Sequence, residues 1–139
     1  MQYLWYALVA LIAYTLVAPL SSIAMQDIPA DMVAVVTNGM LVITALVLVI
    51  TSDKSFVSAF TSDHAPYMIA AGICLSIGII AYYRALAGGP VSIVVPIFGL
   101  FLVGSSVIGI AFLDEALTTR KGLGILLAII AVFLTTFEG

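Results

Sequence analysis

Residues 80–119 read IAYYRALAGGPVSIVVPIFGLFLVGSSVIGIAFLDEALTT, and this stretch decides the fold of the chain. It holds two apolar runs that meet at Gly88-Gly89-Pro90, with Arg84 before this corner and the acidic pair Asp114 and Glu115 after the second run. Each run is close to the roughly 20 residues that an α-helix needs to cross the hydrocarbon core of a bilayer. The stretch therefore predicts two membrane-spanning helices joined by a tight turn.

The composition of the whole chain supports the same interpretation. Of the 139 residues, 64% are apolar and 8% are charged, whereas a soluble domain has roughly 25% charged residues. Too few polar side chains are present to cover a surface that faces water. The net charge of −3 and the four Lys and Arg residues also argue against nucleic-acid binding, which requires a basic surface.

Five apolar segments of membrane-spanning length follow one another along the chain. Because peptide groups in lipid must be hydrogen-bonded internally, each segment is expected to be a helix. The expected fold is an all-α integral membrane protein with a single five-helix domain over residues 1–139. The first run is interpreted as a retained helix because it is longer than the apolar core of a secretion signal. The segments are about 3–25, 32–51, 66–88, 91–113 and 120–137.

The Lys and Arg residues of the short loops predict the orientation. Lys54, Arg120 and Lys121 fall on the same side as the N-terminus, and Arg84 lies near the other side. Three cations against one favour a cytoplasmic N-terminus in the cell membrane. The excess is small enough to allow insertion in both orientations.

Two polar residues lie well inside the first two segments. Asn38 sits about a third of the way along the second segment, and Tyr14 sits midway along the first. An amide in hydrocarbon is costly and usually faces protein or a cavity. Asn38 is therefore expected either to line a cavity or to tie helices together, and Tyr14 could add a hydroxyl to the same cavity.

Arg84 and Pro96 each have two interpretations. Arg84 lies about one turn from the Gly-Gly-Pro corner, so it could extend to the interface and pair with Asp27 or Asp31, or it could act as a gate or substrate contact. Pro96 removes a backbone hydrogen bond and obstructs the carbonyl of Ser92, which predicts a kink in that turn. Such a kink could build a transport site or could be tolerated without function.

The sequence gives little support to an enzyme. The single histidine, His64, lies in a polar loop without Cys, Asp or Glu at metal-binding spacing. Cys74 lies in an apolar run, where packing is the expected role. We expect no catalytic residue, no metal and no cofactor.

The residues around the corner form a recognisable pattern. They are Tyr82-Tyr83-Arg84-Ala85-Leu86, then Gly89, Ser92 and Pro96, then Phe112-Leu113-Asp114-Glu115-Ala116-Leu117-Thr118 and Gly122. This pattern resembles the EamA-type repeat of the drug/metabolite transporter superfamily. The resemblance runs from Tyr82 to Gly122 and implies one half of a ten-helix inverted-repeat transporter fold.

The resemblance implies a secondary transporter that moves small organic metabolites by alternating access. Members of the superfamily usually look like two five-helix repeats of opposite topology in one chain, whereas this chain has one repeat. We therefore expect an antiparallel homodimer in membrane lipid, with a substrate of unknown identity. The candidate cavity or gate residues are Tyr14, Asn38, Tyr82, Tyr83, Arg84, Ser92 and Pro96, and the structural motif residues are Gly89, Glu115, Thr118 and Gly122.

Two other functions remain open. The chain could be a non-transporting membrane subunit of a heteromeric complex, or a flippase for a lipid-linked precursor, since some single-repeat relatives look like such flippases. Small multidrug exporters of the same superfamily depend on an acidic residue in the first helix. No Asp or Glu occurs between Met1 and Met25, which argues against proton-coupled drug exchange.

Overall fold

The computed structural model describes residues 2–52 and 55–136, and this part of the chain is helical without strands. Five helical spans are long and apolar enough to cross a membrane, which confirms the predicted all-α membrane fold. The fourth span is built from two helices, and a further short helix lies between the second and third spans. The helices are α1 (Gln2–Ala24), α2 (Ala30–Ile50), α3 (Phe56–Phe60), α4 (Ala65–Gly88), α5 (Val91–Gly99), α6 (Phe101–Phe112) and α7 (Thr119–Thr136).

The chain divides into two compact units after Gly88. The first unit holds α1 to α4, and α4 packs against both α1 and α2. Its core is formed by Val33 and Ala34 from α2 and Tyr83 from α4, all buried. The small side chain of Ala34 lets the helix backbones approach closely, as is usual between helices in lipid.

The start of α2 differs from the prediction. Pro29 occupies the N-cap position, and its carbonyl accepts hydrogen bonds from the backbone N–H groups of Met32 and Val33 at 2.9 and 3.1 Å. Asp31, which lies just before the predicted segment 32–51, is in the first turn of α2. Its carboxylate is engaged by Arg84 of α4.

The short helix α3 lies in the loop that sequence reasoning treated as irregular. It follows Ser55 and ends at Phe60, and residues 61–64 separate it from α4. Pro66 is the second residue of α4, where a proline without an N–H is well tolerated. At the other end of α4 the Gly-Gly-Pro corner separates two helices as expected, and Pro90 is the N-cap of α5.

The fourth span is interrupted at Leu100, four residues beyond Pro96. The Leu100 N–H donates to the carbonyl of Ile97 at 3.1 Å, and the helical ladder resumes with Gly104 donating to Leu100 at 3.1 Å. A tighter i→i−3 bond therefore replaces the bond that Leu100 would donate to Pro96. The break lies one turn beyond Pro96 and directly after Gly99, a weak helix former. The kink expected in the turn from Ser92 to Pro96 stays a prediction.

In the second unit α7 packs against α5 and α6. The loop before α7 contains Asp114, whose φ of 54° lies in the left-handed region. Aspartate tolerates this conformation better than most residues because its short side chain can hydrogen-bond locally. The loop then leads to Thr118, whose hydroxyl oxygen accepts a hydrogen bond from the Lys121 N–H at 3.2 Å and so caps the start of α7.

Candidate functional site

The polar contact deepest in the first unit joins α2 to α4 through two hydroxyl groups. Thr37 Oγ1 lies 2.8 Å from the Val33 carbonyl oxygen and 2.8 Å from Tyr83 Oη. Because the single Thr37 proton is directed to the carbonyl, the Tyr83 hydroxyl donates to Thr37. Tyr83 is only 3% exposed, so this bond holds the two helices together away from solvent.

Asn38 follows Thr37 in the sequence but takes no part in the hydrogen bond between Thr37 and Tyr83. Its Nδ2 donates to the Ala34 carbonyl at 2.8 Å, four residues back along the same helix. The half-buried amide is thus hydrogen-bonded within α2, and the tie between helices comes from its neighbour Thr37. The group that connects α2 to Tyr83 is therefore Thr37, the neighbour of Asn38 in the sequence.

The other two tyrosines of the predicted set occupy different environments. The Tyr82 ring is half-buried and meets the Tyr83 ring edge-on, with 6.1 Å between the ring centroids. Tyr14 lies on α1 with 71% of its surface exposed. The structure therefore brings the rings of Tyr82 and Tyr83 together, and it places Tyr14 on an exposed face of α1.

Arg84 forms a two-pronged ion pair with Asp31. Arg84 Nε donates to Asp31 Oδ1 and Nη2 donates to Oδ2, each at 3.2 Å. Parallel hydrogen bonds of this kind fix the orientation of the two planar groups. The side chains are 66% and 61% exposed, so the pair lies at the surface of the first unit, one residue beyond the buried Tyr83. Of the two carboxylates proposed as partners, Asp31 is the one that Arg84 engages.

A second ion pair lies in the second unit, between Glu115 and Lys121. The Lys121 ammonium donates to Glu115 Oε2 at 3.2 Å, and both side chains are about half exposed. The Glu115 carboxylate also covers Gly109 of α6, where an added Cβ would lie 3.3 Å from the carboxyl carbon. In addition, the Glu115 N–H donates to the Gly109 carbonyl at 3.3 Å. Glu115 follows the end of α6 at Phe112 and ties the loop back to that helix.

This ion pair closes one end of a cleft between α6 and α7. The cleft has a volume of about 270 Å³ and mostly apolar walls. Ser106 adds a hydroxyl, which donates to the Leu102 carbonyl at 2.8 Å. The lining residues are Leu102, Val103, Ser106, Ile110, Glu115, Lys121, Gly124, Ile125 and Ala128.

The remaining predicted residues lie at or near helix ends of the second unit. Ser92 is exposed in the first turn of α5, and Pro96 is half-buried farther along it. Gly89 precedes the N-cap of α5, and the Gly122 N–H donates to the Thr118 carbonyl at 3.0 Å. Beside Leu100, a cavity of about 220 Å³ lies between α5 and α7. It is lined by Ile97, Leu100, Ile129, Val132, Phe133 and Thr136.

Sequence reasoning missed three structural features: the break at Leu100, the contact of Gly109 with Glu115, and helix α3. The break at Leu100 has a weak signal in the spacing from Pro96 to Gly99. The contact of Gly109 with Glu115 has none, because a glycine six residues before a glutamate is not a known pattern. Helix α3 has one signal, the i and i+4 spacing of Phe56 and Phe60.

In the part of the chain that the structure describes, no group of three His, Cys, Asp or Glu side chains could hold a metal ion. The His64 ring lies 6.3 Å from the Tyr67 ring, and its backbone N–H donates to Ser62 Oγ at 3.2 Å. These contacts belong to a loop and the first turn of a span.

Five apolar spans, with ion pairs near helix ends and hydroxyl groups bonded inside, define a multi-pass helical membrane protein. The sequence model of the EamA-like transporter family matches residues 1–137. The chain therefore belongs to the EamA-like transporter family of the drug/metabolite transporter superfamily, whose members are membrane transporters rather than enzymes. No curated protein and no solved structure matches the chain.

Removal of the Tyr83 hydroxyl tests the bond between α2 and α4. Tyr83→Phe should lower the free energy of unfolding by about 1 kcal/mol, because the ring stays packed while one hydrogen bond is lost. The measurement is unfolding in detergent micelles followed by circular dichroism. Tyr14→Phe is the matched control and should change the free energy little, since Tyr14 is exposed. Equal losses in both variants would contradict the assignment.

The Glu115 carboxylate leaves little space at Gly109. Gly109→Ala should be less stable than Gly104→Ala by about 1 kcal/mol, because the new methyl group must displace that carboxylate. Gly104 lies on the same helix with nothing within 4 Å of an added Cβ, so it controls for the gain in helix propensity. In a Glu115→Ala background the two alanine variants should become equally stable. A difference that persists there would show that another group opposes the methyl.

Proposed function

We propose that this protein is a half-size secondary transporter that moves small organic metabolites across the cell membrane by alternating access, without covalent chemistry on its substrate. The observation that carries the proposal is the family match over residues 1–137, which coincides with five candidate spans. The chain has the apolar segments of one repeat. In the proposed assembly a second copy of the chain supplies the other repeat.

We propose an antiparallel homodimer for this second copy. Transporters built from inverted repeats bind their substrates near the midplane, between halves of opposite topology. A chain with one repeat obtains that symmetry when its two copies insert in opposite directions. The small excess of cations on the N-terminal side is compatible with this, because the Lys and Arg bias sets orientation. One copy then has a cytoplasmic N-terminus, and its partner has the reverse.

Alternating access requires an element that adopts two conformations. We propose that the break at Leu100 is this element. Leu100 is the tenth residue of the 22-residue span Val91–Phe112, so it lies near the middle of that span. Interrupted helices at this depth are a recurring feature of transport sites. The apolar cavity beside Leu100 leaves room for α5 to change its angle relative to α7 within the second unit.

In the first unit, the proposed gate is the Arg84–Asp31 ion pair. The pair joins the first turn of α2 to α4 near the end of each helix. The polar groups that we propose as cavity walls, Asn38, Tyr82 and Tyr83, lie deeper along the same two helices. Opening the ion pair would give a substrate access to them. Tyr14 is the further member of the proposed set in this unit, and Ser92 and Pro96 are its members in the second unit.

Transport can be tested with purified protein in liposomes. Counterflow of labelled amino acids, amines and nucleosides should be faster than in empty liposomes for at least one of these classes. Arg84→Ala should reduce it because the gate is lost. The exchanged pair Asp31→Arg/Arg84→Asp should recover part of the rate. The recovery is partial because arginine is less favourable than aspartate in the first turn of a helix.

Other results would redirect the proposal. Rates equal to those of empty liposomes for every compound would favour a non-transporting subunit, or a flippase if a labelled lipid-linked precursor were moved instead. A folded but inactive exchanged pair would indicate that Arg84 contacts the substrate directly rather than gating the site.

Sidedness of the termini tests the antiparallel homodimer. Single cysteines at Gln2 or Gly139 in a Cys74→Ser background can be labelled on intact cells with an impermeant thiol reagent. Dual insertion should label about half of the molecules at each site. Labelling at Gly139 alone would establish one fixed topology and rule out an antiparallel homodimer.

A further inference from the structure

Helix α3, in the connection between α2 and α4, has an exposed apolar face. The exposed fractions are 57% for Phe56, 68% for Val57 and 56% for Phe60. The two phenylalanine rings meet edge-on with 5.5 Å between their centroids, so they form one continuous patch. A surface of this kind usually contacts lipid or another apolar partner.

The one polar residue of the same helix, Ser58, lies on its other side. At about 100° per residue, Phe56, Phe60 and Val57 fall within an arc of about 100°, and Ser58 is about 160° from Phe60. The Ser58 hydroxyl donates to the Ser55 carbonyl at 2.6 Å. The helix is therefore amphipathic, and its polar side chain is hydrogen-bonded locally.

The short connections from α3 to α2 and α4 limit what the apolar face can contact. Only residues 61–64 separate α3 from α4, and residues 51–55 separate it from α2. Four residues reach at most about 14 Å. Since α2 and α4 are both candidate membrane spans, the end of α2 and the start of α4 are expected at the membrane surface. The headgroup layer on each side is about 5–8 Å thick. Helix α3 is thus tethered at both ends within reach of the boundary between headgroups and acyl chains.

We propose that α3 lies in the membrane interface, with Phe56, Val57 and Phe60 inserted at the boundary between phospholipid headgroups and acyl chains. The occupant of the patch is the bilayer itself, because the tether keeps the helix at its surface and short amphipathic helices bind there through their apolar face. Tyr67, in the first turns of α4 and 75% exposed, adds an interfacial aromatic side chain close to the same end. The patch anchors the connection between α2 and α4 at a fixed depth, independently of any transport activity.

Tryptophan fluorescence tests this placement on the full chain. The chain has one tryptophan, so Trp5→Phe provides a background without indole. Phe60→Trp then places an indole on the apolar face, and Ser58→Trp places one on the polar face as a matched control. Both variants are reconstituted in phosphatidylcholine vesicles. Phe56→Trp repeats the reading on the apolar face if Phe60→Trp fails to fold.

The expected result is a blue-shifted emission for Phe60→Trp and acrylamide quenching about twofold weaker than for Ser58→Trp. Phospholipids brominated near the carbonyl end of the acyl chain should quench the Phe60→Trp emission more than those brominated near the methyl end. Equal acrylamide quenching of the two variants without quenching by brominated lipid would place α3 in water and overturn the proposal. Protection from acrylamide without quenching by brominated lipid would also overturn it, since a protein surface would then cover the patch.

Discussion

The absence of water in the bilayer core is the constraint on which this structure depends. Every peptide group in a span must be bonded within its own helix, and the same constraint governs the hydroxyl side chains. Thr15, Thr44, Ser76, Ser106 and Thr135 each donate to a carbonyl four residues earlier in their own helix. These hydroxyls are satisfied without a partner helix. Polar residues therefore do not identify the contacts between helices unless a second polar group lies opposite.

The bond from Tyr83 to Thr37 is such a case, and it explains the layout of the first unit. Thr37 uses its proton on the Val33 carbonyl, which leaves its oxygen free to accept from Tyr83. The bond sits against the packed pair Val33 and Ala34. The small side chain of Ala34 allows α2 and α4 to pack closely, and the hydroxyl bond fixes how they face each other. In the second unit the comparable contact is made by Glu115, which covers Gly109.

Sequence reasoning predicted the features that depend on length and composition. Five spans follow from apolar runs near 20 residues, and the corner at Gly88-Gly89-Pro90 follows from its residues. The break at Leu100 could not be placed, because proline disturbs the turn before it, at Ser92, whereas the break lies one turn after Pro96. Asp27 and Asp31 fit an ion pair with Arg84 equally well, and only the approach of Arg84 to α2 decides between them. Helix α3 escaped notice because five residues hold a single i, i+4 pair.

The adjacent residues Tyr83 and Arg84 of α4 have two different roles. Tyr83 is buried, and its bond to Thr37 keeps α4 against α2. Arg84 is largely exposed, so solvent screens its pair with Asp31 and the pair can open at little cost. As long as the buried bond persists, the Arg84 side chain can swing away without separating the helices. A gate at this position would therefore open by side-chain rotation, and the larger rearrangement of alternating access would fall to the interrupted span at Leu100.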